Sequence, residues 1–540
     1  MKITCYGGVG EIGGNKVMVE DGEARFFFDF GIPFGERARF FEEFLNPRAA
    51  TGLLDVIEMG LLPPLEGAYR RDLEPPGAFW QRIKNSPHLK SPSQRIDKVD
   101  GVLVSHAHVD HIGYISFLRP DMPVYTSAMT GFIAKAMQDS GVTDFEREIV
   151  YAVPREEREG VLQTMRNSKA NSAPASQRPF RFHDLQRLGP DALSFWSETP
   201  GSRDLSPVPP AVADSIGGLA LRAFPVDHSI FGSTAYAVET SAGWVVYTGD
   251  VRIQGAAAEQ TRRFVEEVAK LRPRVLICEG TRLTPEHESG HSATEEEVRL
   301  NALRAIQQTS GLVVADFGPR NIERLRSFLD IAREAKRYLV ILDKDAYLLN
   351  AMRMVDPTVP SLADTENILV YQDIRVTLTL WQRELRATFA HRIVGPSQVK
   401  ANLAQFILCF SFWDVKNIID IDPPSGLYLY SSSEVHDEEQ GVDMWRLRNW
   451  LQHFNLMSLG LPIQTIDEMG RSIYAISDSE RGLHASGHAT GGEILDMVRR
   501  IAPQTVIPVH TQHPGLFAEK LYESGIEVRL PEYGVPLEFA

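Results

Sequence analysis

The apolar and polar positions follow two different rhythms along the chain, and the change between them divides the sequence. Near the start, Lys2–Tyr6, Lys16–Glu20 and Arg25–Asp29 are short β-branched and aromatic runs that predict three strands. Val102-Leu103-Val104 predicts a buried strand and Ala128–Ser140 a helix. From Gly217 the pattern turns strongly β: Leu219–Val226, Ser233–Thr240 and Trp244–Thr248, the last two joined by a hairpin at Ala242-Gly243. The period then lengthens. Helical patterns over Ala256–Leu271, Arg320–Ala335 and Ala346–Met354 alternate with apolar runs at Arg274–Cys278, Leu312–Phe317, Tyr338–Leu342, Gln405–Phe412 and Gly426–Tyr430. Such alternation predicts a parallel, doubly wound sheet. A charged helix near Val442–Phe454, a helix beginning near Thr490 and a strand over Val506–Val509 complete the pattern.

Two stretches interrupt it. Residues 35–95 are rich in Pro, Arg and Glu, with short helical patterns around Phe40–Leu45 and Gly52–Met59, and read as an insertion over the rim of a site. Residues 142–215 carry a charged helical pattern, Asp144–Tyr151, and aromatic spots at Phe180, Phe182 and Trp196. They read as a second insertion that either lines a channel or caps the fold. At 540 residues the chain is too long for one core.

Charge narrows the function classes. A formal charge of −15 argues against a surface that coats nucleic acid. It leaves room for a nucleic-acid enzyme whose positive charge comes from divalent metal at the phosphate. Cys5, Cys278 and Cys409 lie far apart with no C-x-x-C, so neither a disulfide framework nor a thiolate metal site is expected. The start lacks the apolar core of a signal peptide, and no apolar run approaches the ~18–20 residues that span a bilayer. The expectation is a cytoplasmic protein with no membrane partner.

The chemistry concentrates directly after the strand at Val102. His106-Ala107-His108-Val109-Asp110-His111 places three imidazoles and a carboxylate within six residues. His106 and His108, two apart on an extended segment, point the same way and grip one ion, while Asp110 and His111 turn toward a second. Imidazole and carboxylate donors suit zinc, with manganese favoured as oxygen donors increase. His228 and Asp250, each at a strand end, add two candidate ligands. Asp29 ends its strand at the same edge and is expected to orient a ligand rather than to bind metal. His484-Ala485-Ser486-Gly487-His488 precedes a helix start, a natural place for a phosphate, and His510 ends the last strand. The glycine-rich loop Gly7–Asn15 has no G-K-[ST] and no helical pattern after it, so it reads as a tight turn.

Taken together these residues resemble the β-CASP nucleases of the metallo-β-lactamase fold, most closely those of the ribonuclease J type. The metal motifs of that family fall on Asp29, His106-x-His108-x-Asp110-His111, His228 and Asp250. Its β-CASP motifs fall on Glu279, on His488 within Ser486-Gly487-His488, and on His510 within Ile507-Pro508-Val509-His510. The glycine-rich start is also similar. After Glu279 the chain reads Gly280-Thr281-Arg282, where many relatives have Ser-Thr-Tyr.

The resemblance implies an α/β protein: a four-layer αββα metallo-β-lactamase domain with an inserted doubly wound β-CASP domain. The expected division is 1–255 and 466–540 for the first and 256–465 for the second. It implies two zinc ions (manganese or magnesium in their place), one on His106, His108 and His228, the other on Asp110, His111 and His510, with Asp250 between. His488 is expected at the scissile phosphate or as proton donor, and Glu279 as its orienting or proton-transfer partner. Ser486, Gly487, Arg320, Asn321 and Arg324 are weaker candidates for phosphate contacts. The expected activity is two-metal hydrolysis of RNA, 5′-exonucleolytic with possible endonuclease action, in a chain able to form homo-oligomers. The alternatives are a DNA-directed nuclease of the group, a small-molecule ester or lactone hydrolase of the same fold, and an inactive RNA-binding scaffold.

Overall fold

Side-chain alternation along Ala24–Phe28 decides how the first sheet is used: Phe27 turns to one side, Phe26 and Phe28 to the other, and all three are buried. The computed structural model describes residues 1–42, 44–141, 144–166, 173–201, 204–285, 293–318, 320–432, 444–466 and 472–540. Its first sheet has eight strands, in the order Ala211–Val212, Phe180–Phe182, Val124–Thr126, Gly101–Leu103, Ala24–Phe28, Val17–Asp21, Lys2–Cys5 and Pro536–Glu538. The second has seven, in the order Ser215–Ile216, Leu219–Pro225, Thr234–Thr240, Gly243–Tyr247, Val275–Glu279, Thr505–Val509 and Glu527–Val528.

The inner faces of these sheets share one core, in which Ile3, Val17, Phe28 and Leu103 meet Tyr236, Val245, Ile277 and Ile507. Each outer face is covered. Phe27, Val102 and Val124 pack against Leu53, Ile57, Phe132 and Ile133. On the far side Val246, Leu276 and Val506 pack against Phe264 and Val268 of Ala258–Leu271, and against Ile494 and Val498 of Gly491–Ile501. Thr490 caps that last helix through a reciprocal pair with Glu493. The result is the four-layer αββα arrangement.

A third sheet of seven strands is parallel throughout, in the order Ile393–Val394, Ile368–Tyr371, Tyr338–Ile341, Phe406–Leu408, Leu312–Asp316, Gly426–Tyr430 and Leu456–Leu459. Helices cover both faces: Ile322–Glu334 and Asp343–Val355 on one, Pro396–Ala401 and Met444–His453 on the other. This whole sheet lies in sequence between Val275–Glu279 and Thr505–Val509, which nevertheless pair directly. Among the described residues no helix is long and apolar enough to cross a membrane.

Three local expectations are corrected. Asp144–Tyr151 forms a short 3-10 turn, Phe145–Arg147, and then a strand, Tyr151–Ala152. Its acids do not share a solvated helix face: Glu146 pairs with Arg37, and buried Glu148 sits between Arg70 and Arg155. The described part of Phe40–Leu45 is not helical, because Phe44 and Leu45 remain exposed and give a helix nothing to bury; the helical turn is Phe34–Ala38. Residues 35–95 do more than overhang a rim, since Leu53, Ile57 and Leu62 build the outer layer of the first sheet. Of the charged helix near Val442–Phe454, Val442 and Asp443 lie outside the described residues. Phe180, Phe182 and Trp196 are likewise fold-capping core: the two phenylalanines form an added strand, and Trp196 packs on both rings.

Asp316 ends the strand Leu312–Asp316 and Asp345 sits in the first turn of the helix Asp343–Val355, and burial pushes both up to about 7. Each carboxyl is therefore neutral in the folded chain at pH values where the unfolded chain has already ionised. The stability it contributes is present at acid pH and is lost as pH rises toward 7. Asp345→Asn, which keeps an acceptor for the Leu342 N–H, is expected to gain roughly 2–3 kcal/mol more over the unsubstituted chain at pH 8 than at pH 5. Thermal and denaturant unfolding at the two pH values checks this; equal gains would show that Asp345 does not titrate in that range.

Candidate metal centre

The site forms where strand ends of the two facing sheets meet. Strand Gly101–Leu103 delivers His106 and His108, and the short helix Val109–Ile112 carries Asp110 and His111. From the second sheet, His228 follows Leu219–Pro225, Asp250 follows Gly243–Tyr247, and His510 follows Thr505–Val509. All seven come together. His106, His108, His228 and Asp250 form one group of donor atoms, each within 4.8 Å of the others, and Asp110, His111, Asp250 and His510 form a second. Asp250 belongs to both.

The distances fix which atoms face inward. His108 presents Nδ1, 3.0 Å from His106 Nε2 and 3.2 Å from His228 Nε2. In the second group Asp110 Oδ2 lies 3.4 Å from His111 Nε2 and 3.2 Å from His510 Nε2. Asp250 Oδ2 is 3.1 Å from His111 Nε2 and 3.6 Å from His106 Nε2.

Lone pairs crowded this closely in a buried pocket repel unless a cation or shared protons lie between them. Among the described residues, buried His111 Nε2 and Asp250 Oδ1 have no well-formed hydrogen bond. Electrostatics set the ligand forms. Burial and neighbouring rings hold His106 and His108 well below the usual imidazole range, and burial brings His228 down to about 4. Burial alone would raise Asp110 and Asp250, yet the His111 ring beside them holds both well below the carboxylate range. Burial would lower His111 and His510 too, yet the Asp250 and Asp110 carboxylates raise both above the usual imidazole range. Three neutral rings and two ionised carboxylates are already in metal-binding form, and a divalent ion would displace the proton from the other two rings, so the donor set fits metal.

The outward-facing nitrogens of His106, His111, His228 and His510 are held. Asp29 accepts from Ser105 N, Ser105 Oγ and Tyr247 OH, and lies 2.7 Å from His111 Nδ1. Four contacts on one carboxylate leave it to orient His111 rather than to coordinate. Gly487 O takes His228 Nδ1 at 2.6 Å, Ser105 Oγ meets His106 Nδ1 at 2.9 Å, and Thr281 Oγ1 meets His510 Nδ1 at 2.8 Å. Thr281 also donates to Glu279 Oε2 at 2.6 Å, and Glu279 Oε2 lies 3.0 Å from His488 Nδ1. Glu279, His488 and Asp250 thus form a third buried cluster beside the two others.

The glycine-rich loop is the tight turn its sequence predicts, and it closes over Asp110. Gly14 N–H donates to Asp110 O, and a Cβ on Gly13 would stand 2.9 Å from the Asp110 Cβ. Gly31 is pressed on the same backbone, where a Cβ would meet Asp110 O at 1.6 Å. Asp29 and His510 both take a left-handed backbone, φ 53° and 52°, uncommon for residues with a side chain.

Other candidates have different work. Asn321 caps the helix Ile322–Glu334 by accepting from Arg324 N. Arg324 is buried and paired with Glu295 and Ser431, so it is not a surface phosphate contact. Arg320 reaches the carbonyl of Ala107, inside the histidine cluster. Ser486 Oγ accepts from His488 N, and Gly487 serves through its carbonyl. The helix start after His488 already carries its own cap, with the Glu493 carboxylate on it, which disfavours a phosphate there. His484 ties Ser432 O to Gly460 O. Sequence reasoning missed Thr281, Ser105, Tyr247 and the pair of buried Arg252 with Asp227 and Glu323. The available signal was adjacency: Ser105 precedes His106, Asp227 precedes His228, and Thr281 is two residues past Glu279.

Two family models match. A beta-lactamase superfamily domain covers residues 76–170, including the histidine cluster, and a Zn-dependent metallo-hydrolase RNA specificity domain covers 479–531, including His488 and His510. Ribonuclease J of Mycolicibacterium smegmatis is 22% identical over 524 residues, 94% of this chain and 68% of that protein. Ribonuclease J of Helicobacter pylori strain J99 is 20% identical over 545 residues, 99% of this chain and 59% of the relative. The chain resembles ribonuclease J over nearly its whole length. This ribonuclease J-like chain spans 59–68% of the length of these two relatives. A crystal structure of a protein of unknown function from Enterococcus faecalis V583 shares the fold, with a TM-score of 0.62, 19% identity and 99% of each chain covered.

Thr281→Val, which removes the hydroxyl between His510 and Glu279, is expected to weaken metal binding by about 10–100-fold, with Thr281→Ser close to the unsubstituted chain. Metal content after dialysis against graded chelator, read by mass spectrometry, checks both. Equal retention by Val and Thr would show that the hydroxyl does not support the site.

Proposed function

We propose that this chain is a two-metal ribonuclease. The observation that carries the reading is a pair of buried donor groups sharing Asp250, flanked by the His488–Glu279 pair. The match of residues 479–531 to an RNA specificity domain points to the polymer. In this reading residues 1–255 and 466–540 form the metal-bearing unit, and 256–465 the inserted β-CASP unit.

His106, His108 and His228 would hold one ion, Asp110, His111 and His510 the other, with Asp250 between. Two zinc ions there, or manganese or magnesium, would supply Lewis acidity toward a phosphodiester and would acidify a water toward neutrality. The remaining steps belong to side chains. Asp29, Ser105, Gly487 and Thr281 hold the ligand rings by their outer nitrogens, which fixes the tautomer that faces inward. The Glu279 carboxylate holds His488 by Nδ1 and leaves Nε2 to hand a proton to the leaving oxygen as the P–O bond breaks. Arg320, at the rim beside Ala107, adds positive charge where a phosphate enters.

Single-stranded RNA labelled at its 5′ end or internally, with matched DNA, tests the reading on the unsubstituted chain, Asp110→Ala and His488→Ala. The expected result is RNA cleavage with release of 5′ mononucleotides, abolished by chelator and restored by zinc or manganese. His488→Ala should lower the rate by about 10²–10⁴-fold with metal content intact, whereas Asp110→Ala loses both metal and activity. Cleavage confined to DNA would move the chain to DNA-directed chemistry. A metal-loaded chain that cuts neither polymer would sink the nuclease reading in favour of a small-molecule ester.

A further inference from the structure

The doubly wound sheet has a second concave site that the metal centre does not use. From Tyr338–Ile341 the chain passes outward to Ile368–Tyr371. From its neighbour Phe406–Leu408 it crosses the other way, over Leu312–Asp316, to Gly426–Tyr430. The winding reverses between these two adjacent strands, and the space beyond the carboxyl ends of such a pair is where open α/β sheets take ligands. Here it is a cleft of about 1370 Å³, reached by Leu342–Lys344 after one strand and Trp413–Asn417 after the other, and walled opposite by the carboxyl end of Ala128–Ser140. No residue of the three metal-site clusters lines it.

Its lining is chemically specific. Trp413 is 60% exposed, whereas most large aromatic rings of this chain are buried. Tyr371, 1% exposed, lines the same cleft with a buried hydroxyl that has no hydrogen-bond partner among the described residues. Most of the cleft's acids are answered from within: Arg386 holds Asp343 and Asp373, Lys344 faces Asp414, and Lys135 holds Asp139. Arg147, Arg383 and Lys416 are exposed cations of the lining that form no ion pair among the described residues, against one unpaired acid, Asp204. An open indole, a hydroxyl in need of a partner and surplus cations match a planar base joined to a phosphate.

We propose that this cleft binds a nucleotide unit, its base on Trp413 and its phosphate among Arg147, Arg383 and Lys416. The source of that unit rests on the ribonuclease reading: a stretch of substrate RNA beyond the metals, or a free mononucleotide product.

Binding is read without turnover, on the full chain carrying Asp110→Ala, by anisotropy with a labelled 15-nucleotide RNA and by equilibrium dialysis with AMP. Trp413→Ala, and separately Arg383→Glu with Lys416→Glu, alter exposed side chains and are checked for folding by thermal melts. Each is expected to weaken binding about tenfold. Loss for the 15-mer alone identifies an RNA segment, and loss for AMP as well identifies a mononucleotide site. In a chain with Asp110 intact, the same cleft variants should cut a dinucleotide at the unsubstituted rate, because the metal centre is untouched. Unchanged affinity for both ligands in both variants overturns the proposal, as does an equal loss of dinucleotide cleavage. Failure of the unsubstituted chain to cut RNA would sink the ribonuclease reading alone, since the binding arms still decide the cleft.

Discussion

Glu279 and Val509 stand opposite each other in a parallel pair of strands, and the chemistry of the site depends on that register. It sets His510, one residue beyond Val509, next to Thr281, two residues beyond Glu279, so that one hydroxyl serves both a candidate ligand and the partner of His488. A slip of one residue would turn every side chain of the returning strand to the other face. The third sheet, closed into its own doubly wound unit, lies between the two strands in sequence without disturbing their pairing.

Buried ion pairs then fix that unit against the metal-bearing sheets. Arg252, two residues past Asp250, pairs with Asp227 beside His228 and with Glu323 on a helix of the inserted sheet. Breaking such a pair from one side leaves a buried charge without a partner, which costs several kcal/mol. Opening between the units at this point therefore acts on the neighbours of two metal-site residues. Arg320 reaches across to Ala107 in the same region.

What was legible in the sequence followed from dense local signals. Four candidate ligands within six residues and strand ends carrying His or Asp pointed to the clustered donors, a change of hydrophobic period pointed to the doubly wound sheet, and the two facing sheets came only with the family resemblance. The missed parts depend on tertiary neighbours. Asp144–Tyr151 has a helical charge pattern, yet Glu148 is drawn inward by Arg70 from a distant loop. Asn321 and Arg324 look like phosphate contacts until the helix that the one caps and the buried Glu295 that the other meets are known. Thr281 had only its place two residues past Glu279 as a signal, because its role exists only once residue 510 has returned beside it.

The closure of the glycine-rich turn over Asp110 also bears on the order in which a ribosome makes this chain. His106, His108, His228 and Asp250 are all synthesised before the inserted sheet begins, so one half of the centre has its donors early. The Asp110 half waits for His510, whose backbone N–H then anchors on Gly8 in the same turn. A nascent chain thus lacks the Asp110 half of the donor set until residue 510 has been made and the inserted sheet lies behind it.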